Sequence, residues 1–363
     1  MDIKRNILLN PGPATTTDTV KRAQLVPDIC PREREFGALM RELGTDLLKV
    51  VHANETEWTT VLFCGSGTIC MDACVSSLIP ADGKLLIVNN GAYSARASEM
   101  ARAYSVPHID LKFPIDGLPD LDEIERTLNE NPDITAVYTT HQETGTGILN
   151  PVREIGARAH AHGATMIADT ISTYAMIPFT VDDMNIDVCM SSAQKGIQGM
   201  TGLSFVLAKK SVLTAAKAYP VRSYYTNLVM QYEGFEQTGE MRFTPPVQTV
   251  YAAKRALAEY FAEGAAKKWA RHTRTIEAIH AGLAKLGLRE AIPRAIQSGL
   301  VVAVEYPANF DFMRVHDYCY ERGYTIYPGK MQTSATFRLC ALGAIDETDI
   351  AGFFRVFEDA LNA

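Results

Sequence analysis

The feature that most constrains the fold is a regular alternation of short apolar runs with helical segments between residues 59 and 208. Short apolar runs predict buried strands, and the segments between them carry the spacing and end signals of helices. We expect strands at residues 59–63, 85–88, 134–138, 165–168, 186–190 and 203–208. Strands that alternate with helices usually pair in parallel. The pattern therefore predicts an α/β fold with a largely parallel sheet and helices on both faces.

A change in composition near Pro245 and Pro246 predicts a second, smaller domain. Residues 247–286 are rich in Ala, Lys, Arg and Glu, and they predict two helices that break near Gly264. Weaker alternation of strands and helices follows up to the C-terminus. We expect a large domain at residues 15–245 and an α+β domain at residues 246–363, with residues 1–14 packed beside the smaller domain.

The composition narrows the class of protein. Among 363 residues, 47% are hydrophobic and 21% are charged, which is typical of a soluble globular chain, and the net charge of -7 argues against a general nucleic-acid surface. We see no apolar run of membrane-spanning length and no signal-peptide h-region. The seven cysteines form no CxxC motif and lie mostly in apolar contexts. These features predict a cytoplasmic protein with reduced thiols and no metal site.

Polar residues follow several predicted strands at the point where each strand ends. In an open parallel sheet, ligands bind beyond the carboxyl ends of the strands, so these residues are the first candidates for a site. They are residues 65–68, residues 141–145, Asp169 and residues 191–195. We expect the loops that carry them to meet at one crevice.

Lys195 lies in such a loop, among small and glycine residues that leave space for a ligand. A lone lysine there is more often simply exposed, but its neighbours favour a Schiff base with a cofactor. Asp169 ends an otherwise apolar strand, so its carboxylate needs a partner such as a protonated ring nitrogen. The Gly65–Thr68 turn precedes a helix, whose N-terminus suits a phosphate, although such turns are often only tight turns. Together these residues predict pyridoxal 5'-phosphate.

The chain also resembles the fold-type I, class V pyridoxal-phosphate aminotransferases. The motifs that carry the resemblance span nearly the whole chain: residues 9–13 (LNPGP), 65–68 (GSGT), 90–96 (NGAYSAR), 141–147 (HQETGTG), 191–199 (SSAQKGIQG), 242–246 (RFTPP), 326–330 (IYPGK) and 337–339 (FRL). The resemblance implies a large domain with a mostly parallel seven-stranded sheet and a smaller C-terminal α+β domain. The IYPGK and GIQG pieces favour the branch that uses 2-aminoethylphosphonate and pyruvate.

The resemblance also implies a role for each of a set of residues. Lys195 would hold the cofactor and Asp169 would pair with its ring nitrogen. The remaining cofactor contacts that it implies are Ser66, Gly67, Thr68 and Gln194 at the phosphate, Tyr93 on the ring face and Thr144 near the phenolic oxygen. Thr244 would reach the phosphate of the neighbouring subunit, which implies a homodimer. Arg338 would bind the acid group of the substrate.

The implied reaction is a ping-pong transamination from 2-aminoethylphosphonate to pyruvate. An alanine– or serine–glyoxylate (or pyruvate) aminotransferase of the same class is the nearest alternative. Gln194 stands where the better-known phosphonate enzymes have asparagine, and residues 170–174 and 199–202 also depart from their pattern, which leaves the substrate open. A lyase or desulfurase, or a binding protein that keeps the fold, is a further alternative. Judged without the resemblance, Arg338 could pair with an acid and Tyr93 could lie in the core. Arg32 and Arg34 fit a solvated charge cluster better than a phosphonate site.

Overall fold

The computed structural model describes residues 3–329, 331 and 335–362. Its strands are β1 (Ile7–Leu8), β2 (Trp58–Cys64), β3 (Lys84–Asn89), β4 (His108–Lys112), β5 (Ile134–Thr140), β6 (Gln142–Glu143), β7 (Ile148–Leu149), β8 (Thr165–Asp169), β9 (Val188–Ser192), β10 (Leu203–Lys209), β11 (Val301–Glu305), β12 (Tyr324–Thr325), β13 (Tyr327–Pro328) and β14 (Thr336–Cys340). Its α-helices are α1 (Asp18–Arg22), α2 (Arg34–Val50), α3 (Thr68–Ser77), α4 (Ala92–Ala103), α5 (Leu121–Glu130), α6 (Val152–Ala161), α7 (Lys210–Ala216), α8 (Leu228–Thr238), α9 (Val247–Glu263), α10 (Ala265–Lys285), α11 (Phe312–Glu321) and α12 (Glu347–Asn362).

The central sheet has seven strands in the order β2-β10-β9-β8-β5-β3-β4. Strand β10 runs antiparallel to both of its neighbours, and the remaining pairs are parallel. The exception has a physical cause, because residues 193–202 between β9 and β10 are too few for the crossover of about a dozen residues that a parallel pair needs. The predicted α/β fold with a mostly parallel seven-stranded sheet is confirmed.

The strands read as continuous apolar runs because both faces of the sheet are covered. In β3, Leu86 and Val88 belong to one apolar layer, while Leu85 and Ile87 belong to the other. The first layer is packed under α2, α5, α6 and α9, and the second under α3, α4, α7 and α8. Burial on both faces is the usual reason for Val-, Ile- and Leu-rich parallel strands.

Four elements of the large sheet region differ from the sequence prediction. Strand β4 was not predicted, because it forms the sheet edge and its residues are only partly buried. Helices α7 and α8 were not predicted either. The spacing of Leu43, Leu47, Leu48 and Val51 predicts a helix at residues 41–52. Helix α2 instead begins at Arg34, because its apolar stripe continues back through Met40 to Phe36.

The C-terminal region has its own antiparallel sheet, in the order β11-β14-β13, and its own apolar core. Ile7 and Leu9 of the N-terminal segment belong to this core, and β1 pairs with β12. Helix α9 instead packs into the core of the large sheet. The predicted boundary at residues 245 and 246 stays a prediction, and this packing favours a later one near Gly264.

None of the helices in the described part of the chain is both long and apolar enough to cross a membrane. Within the same residues, no group of three or more His, Cys, Asp and Glu side chains is arranged to hold a metal ion. Lys330, the last residue of the IYPGK motif, lies outside the described residues.

Candidate active site

The carboxyl ends of β2, β5, β8 and β9 open onto one pocket of about 230 Å³. Eight of the ten predicted site residues line it: Ser66, Gly67, Thr68, Tyr93, Thr144, Asp169, Gln194 and Lys195. The other two, Thr244 and Arg338, are not among its lining residues. The structure thus brings most of the predicted set together at the edge of the sheet where ligands of α/β proteins bind.

Lys195 lies in the loop between β9 and β10, and its Nζ donates a hydrogen bond to the carbonyl of Pro11. Burial lowers the pKa of this amine. Gly12 approaches the lysine so closely that a Cβ atom there would lie 2.6 Å from Nζ. Because Gly12 also has a φ of +128°, this position requires glycine.

The loop around Lys195 is fixed from several sides. Ala14 donates its amide to the carbonyl of Gln194 at 2.9 Å, and Gly199 donates to the carbonyl of Ala193 at 2.7 Å. From α10, the buried Lys268 donates its Nζ to the carbonyl of Gly196 at 2.5 Å. Burial lowers the pKa of Lys268 to about 7. The backbone on both sides of Lys195 is therefore fixed before any ligand binds.

Asp169 is the last residue of β8, on the strand next to β9, and it is only 3% exposed. Its carboxylate accepts hydrogen bonds from the Ile171 amide at 2.9 Å and the Tyr138 hydroxyl at 3.2 Å. Burial raises the pKa of Asp169 to about 6, against the effect of both hydrogen bonds. A carboxyl group in this situation gains from a cationic partner.

The N-terminus of α3 faces the same pocket. Gly67 precedes the helix and provides no side-chain cap. Within the described chain, the amides of Gly67 and Thr68 have no hydrogen-bond acceptor. Free amides at a helix N-terminus, together with the positive end of the helix dipole, suit an anion such as a phosphate.

Arg96 also lines this end of the pocket, although the sequence analysis gave it no role. Its Nη1 donates to the Thr68 hydroxyl at 3.1 Å, and its guanidinium carbon lies 5.1 Å from the centre of the Tyr93 ring. A signal for Arg96 existed in the sequence, because it is three residues after Tyr93 on one helix and therefore lies on the same face.

Several buried polar atoms of the pocket wall lack a hydrogen-bond partner among the described residues. They are Thr140 Oγ1, Gln142 Oε1, Ser192 Oγ and Gln194 Oε1. A buried polar atom without a partner costs about 1–3 kcal/mol, so the wall is built for a polar ligand. An amine, a buried acid and a helix N-terminus fit a ligand with a reactive carbonyl carbon, a protonated ring nitrogen and a phosphate.

Arg338 lies in the middle of β14, not at a strand end, and its side chain is buried. Among the described residues it pairs with carbonyl groups, so the alternative in which Arg338 pairs with an acid is wrong. Its Nε and Nη2 donate to Pro328 at 3.0 and 2.8 Å, and its Nη1 donates to Thr144 at 2.8 Å. Two of its five N–H groups have no partner among the described residues.

Thr244 is exposed, between Phe243 and Pro245, and contributes nothing to the pocket of its own chain. Arg32 and Arg34 are exposed as well. Arg32 pairs with Glu240 at 2.7 Å and donates to the Met241 carbonyl at 3.0 Å. Neither arginine lines the pocket.

Two buried residues of the HQETGTG motif have structural contacts. Glu143 caps the start of α4, accepting hydrogen bonds from the Tyr93 amide at 3.1 Å and the Ser94 amide at 2.8 Å. His141 bonds to the Thr173 hydroxyl at 2.9 Å, and burial lowers its pKa to about 4. His141 is therefore neutral and outside the pocket wall.

Comparison with known proteins extends these observations. The family model described as aminotransferase class-V matches residues 27–344. A 2-aminoethylphosphonate–pyruvate transaminase of Lactiplantibacillus plantarum is 36% identical over 97% of this chain and 97% of that protein. A protein of the same name from Cupriavidus necator is 36% identical over 95% of this chain and 91% of that protein. The crystal structure of a ureidoglycine–glyoxylate aminotransferase from Bacillus subtilis has the same fold, with a TM-score of 0.91, 22% identity, and coverage of 100% of this chain and 95% of that one.

Proposed function

The chain belongs to the class V aminotransferases, and we propose that it transfers the amino group of 2-aminoethylphosphonate to pyruvate with pyridoxal 5'-phosphate as cofactor. The products are phosphonoacetaldehyde and L-alanine, formed by a ping-pong mechanism. The observation that carries the proposal is the single pocket that joins Lys195, Asp169 and the N-terminus of α3. The names of the relatives that match along almost the whole chain support the substrate pair.

Bound pyridoxal phosphate supplies a carbon that reacts with amines and a ring that accepts electron density. We assign its covalent attachment to Lys195. Ser66, Gly67, Thr68 and Gln194 would hold the phosphate, with Tyr93 on the ring face and Thr144 near the phenolic oxygen. The burial of the Asp169 carboxyl, which raises its pKa and makes a cationic partner favourable, and the free amides of the α3 N-terminus support these assignments.

The protein's own groups move and hold the protons. Because burial lowers the pKa of Lys195, a larger share of the amine is neutral near pH 7 than for an exposed lysine. Once displaced by the substrate amine, Lys195 Nζ would act as the base that takes the proton from the substrate carbon and delivers it to the cofactor carbon to which the lysine had been bound. The Asp169 carboxylate would pair with the cofactor's ring nitrogen and favour its protonated form.

We propose that Arg338 binds the acid group of the substrate. A planar guanidinium can donate paired hydrogen bonds to either a phosphonate or a carboxylate. A ping-pong enzyme with two different acid substrates requires this. Its bond to the carbonyl of Thr144, a residue of the pocket wall, supports the assignment. The two N–H groups without a described partner are the ones available to the substrate.

We further propose a homodimer in which Thr244 contacts the phosphate in the neighbouring subunit. Thr244 follows the half-buried Phe243, which packs against the exposed Tyr224 and Tyr225; the ring centres of Tyr225 and Phe243 are 4.6 Å apart. An exposed aromatic patch of this kind is typical of an interface.

All seven cysteines are free thiols, which supports a reducing cytoplasmic location.

A substrate panel tests the proposed function. The purified protein is assayed with 2-aminoethylphosphonate and pyruvate, then with alanine or serine and glyoxylate. We expect phosphonoacetaldehyde and alanine in equal amounts from the first pair and much slower turnover of the others. Good turnover of alanine or serine with glyoxylate, without phosphonoacetaldehyde, would identify the alternative aminotransferase. Lys195→Ala should be inactive, while Lys267→Ala, at an exposed lysine, should remain active.

A further inference from the structure

We propose that Arg96 is the cation that balances the charge of the cofactor's phosphate. The inference rests on the proposed function, because it requires pyridoxal 5'-phosphate in this pocket. It adds a binding residue that neither the sequence analysis nor the resemblance assigned.

The residues assigned to the phosphate leave its negative charge unbalanced at this end of the pocket. A phosphate monoester carries a charge of about -1.5 to -2 near pH 7. The residues assigned to it, Ser66, Gly67, Thr68 and Gln194, are all neutral. The end of a helix dipole is equivalent to about +0.5 of a charge. In the described pocket wall, Arg96 and Lys195 are the cations, and the amine of Lys195 is required at the reacting carbon.

Arg96 lies next to the N-terminus of α3. Arg96 donates to the hydroxyl of Thr68, the first residue of α3, at 3.1 Å. Its guanidinium is therefore beside the free amides that suit the phosphate. The other four N–H groups of Arg96 have no hydrogen-bond partner among the described residues. A guanidinium with free donors beside a helix N-terminus can hold a phosphate through two parallel hydrogen bonds.

The Arg96 side chain is held by its contact with the ring of Tyr93. The guanidinium carbon of Arg96 lies 5.1 Å from the Tyr93 ring centre, one helical turn earlier on α4. Glu143 caps the same helix. Burial raises the pKa of its carboxyl group, and the nearby positive charge of Arg96 opposes that rise. The same arginine thus borders the groups proposed for the phosphate and for the ring face of the cofactor.

A comparison of pyridoxal 5'-phosphate with pyridoxal, which lacks the phosphate, tests the inference. Both are titrated into the full-length chain after removal of its cofactor, and the dissociation constants are read from absorbance. We expect Arg96→Met to weaken binding of pyridoxal 5'-phosphate by about 10- to 100-fold, as the loss of charge-assisted hydrogen bonds requires. Pyridoxal affinity should change by less than about threefold, which also reports that the variant is folded. The affinity of Arg96→Lys for pyridoxal 5'-phosphate should lie between those of the wild type and Arg96→Met.

Arg102→Met, an exposed arginine on the same helix, is the matched control and should bind both compounds as the wild type does. Equal losses for both compounds in Arg96→Met would mean that Arg96 only supports the pocket, and would overturn the inference. An unchanged preference for the phosphate, with a raised KM for 2-aminoethylphosphonate, would assign Arg96 to the substrate and also overturn it. A wild-type protein that binds neither compound would instead overturn the proposed function itself.

Discussion

Replacing Asp169 by asparagine should stabilise the cofactor-free protein while it disables the enzyme. Asp169 is 3% exposed, and burial raises its pKa from 3.8 to about 6. Asparagine has nearly the same shape and can still accept the hydrogen bond from the Ile171 amide. The Tyr138 hydroxyl can rotate to accept from the new amide group. The substitution therefore removes a buried charge without removing its contacts.

The sign and the size of the effect follow from the pKa. Because the folded state raises the pKa, folding favours the protonated form, and stability is lost as pH rises from about 4 to about 6. The difference between the unfolded pKa of 3.8 and the folded pKa of about 6 corresponds to a loss of about 3 kcal/mol in the free energy of unfolding once the pH is above both values. The free energy of unfolding of Asp169→Asn should therefore be higher than that of the wild type by about 3 kcal/mol at pH 8, and by about half of that at pH 5.

Urea denaturation of the cofactor-free proteins at pH 5 and pH 8 measures this difference. Asp182→Asn, at an exposed aspartate, is the control and should show no comparable gain. With cofactor, Asp169→Asn should lose about 100-fold or more in kcat, because a buried charge opposite the ring nitrogen is missing. An Asp169→Asn protein with the same stability as the wild type at pH 8 would refute the reasoning.

Three further experiments test the surroundings of the pocket. Gly12→Ala places a Cβ atom 2.6 Å from Lys195 Nζ, so the absorbance of bound cofactor and kcat should both fall by more than about tenfold. Lys268→Met removes the hydrogen bond to Gly196, so steady-state kinetics should show a kcat lower by about tenfold with little change in KM. Lys195→Ala and Thr244→Ala subunits should each have low activity alone, yet mixed dimers should regain activity, because one site then has both intact residues. No recovery on mixing would contradict the shared site.

The sheet and most of the pocket were predictable because their residues are constrained by burial on every side. Strands with both faces covered must be apolar, and polar residues at their ends then stand out. Asp169 and Lys195 could be identified in this way. The edge strand β4 could not, because its residues are only partly buried and give a weak pattern.

The remaining features depend on contacts between residues far apart in the sequence. Arg338 has a strand pattern around it, but only the folded chain brings the carbonyls of Pro328 and Thr144 to its guanidinium. Arg96 comes from a helix rather than a strand end, so a search of strand ends does not include it. Lys268 approaches the Lys195 loop from α10, seventy-two residues after Gly196. No local pattern encodes such a contact.

The most direct test of the central claim is the site of covalent attachment of the cofactor. The purified protein with its cofactor is reduced with borohydride, digested, and mapped by mass spectrometry. We expect the pyridoxyl-phosphate mass on Lys195 alone, at close to one group per chain. Attachment at another lysine, such as the buried Lys268, or an unmodified Lys195 in a protein that still transaminates, would contradict the account.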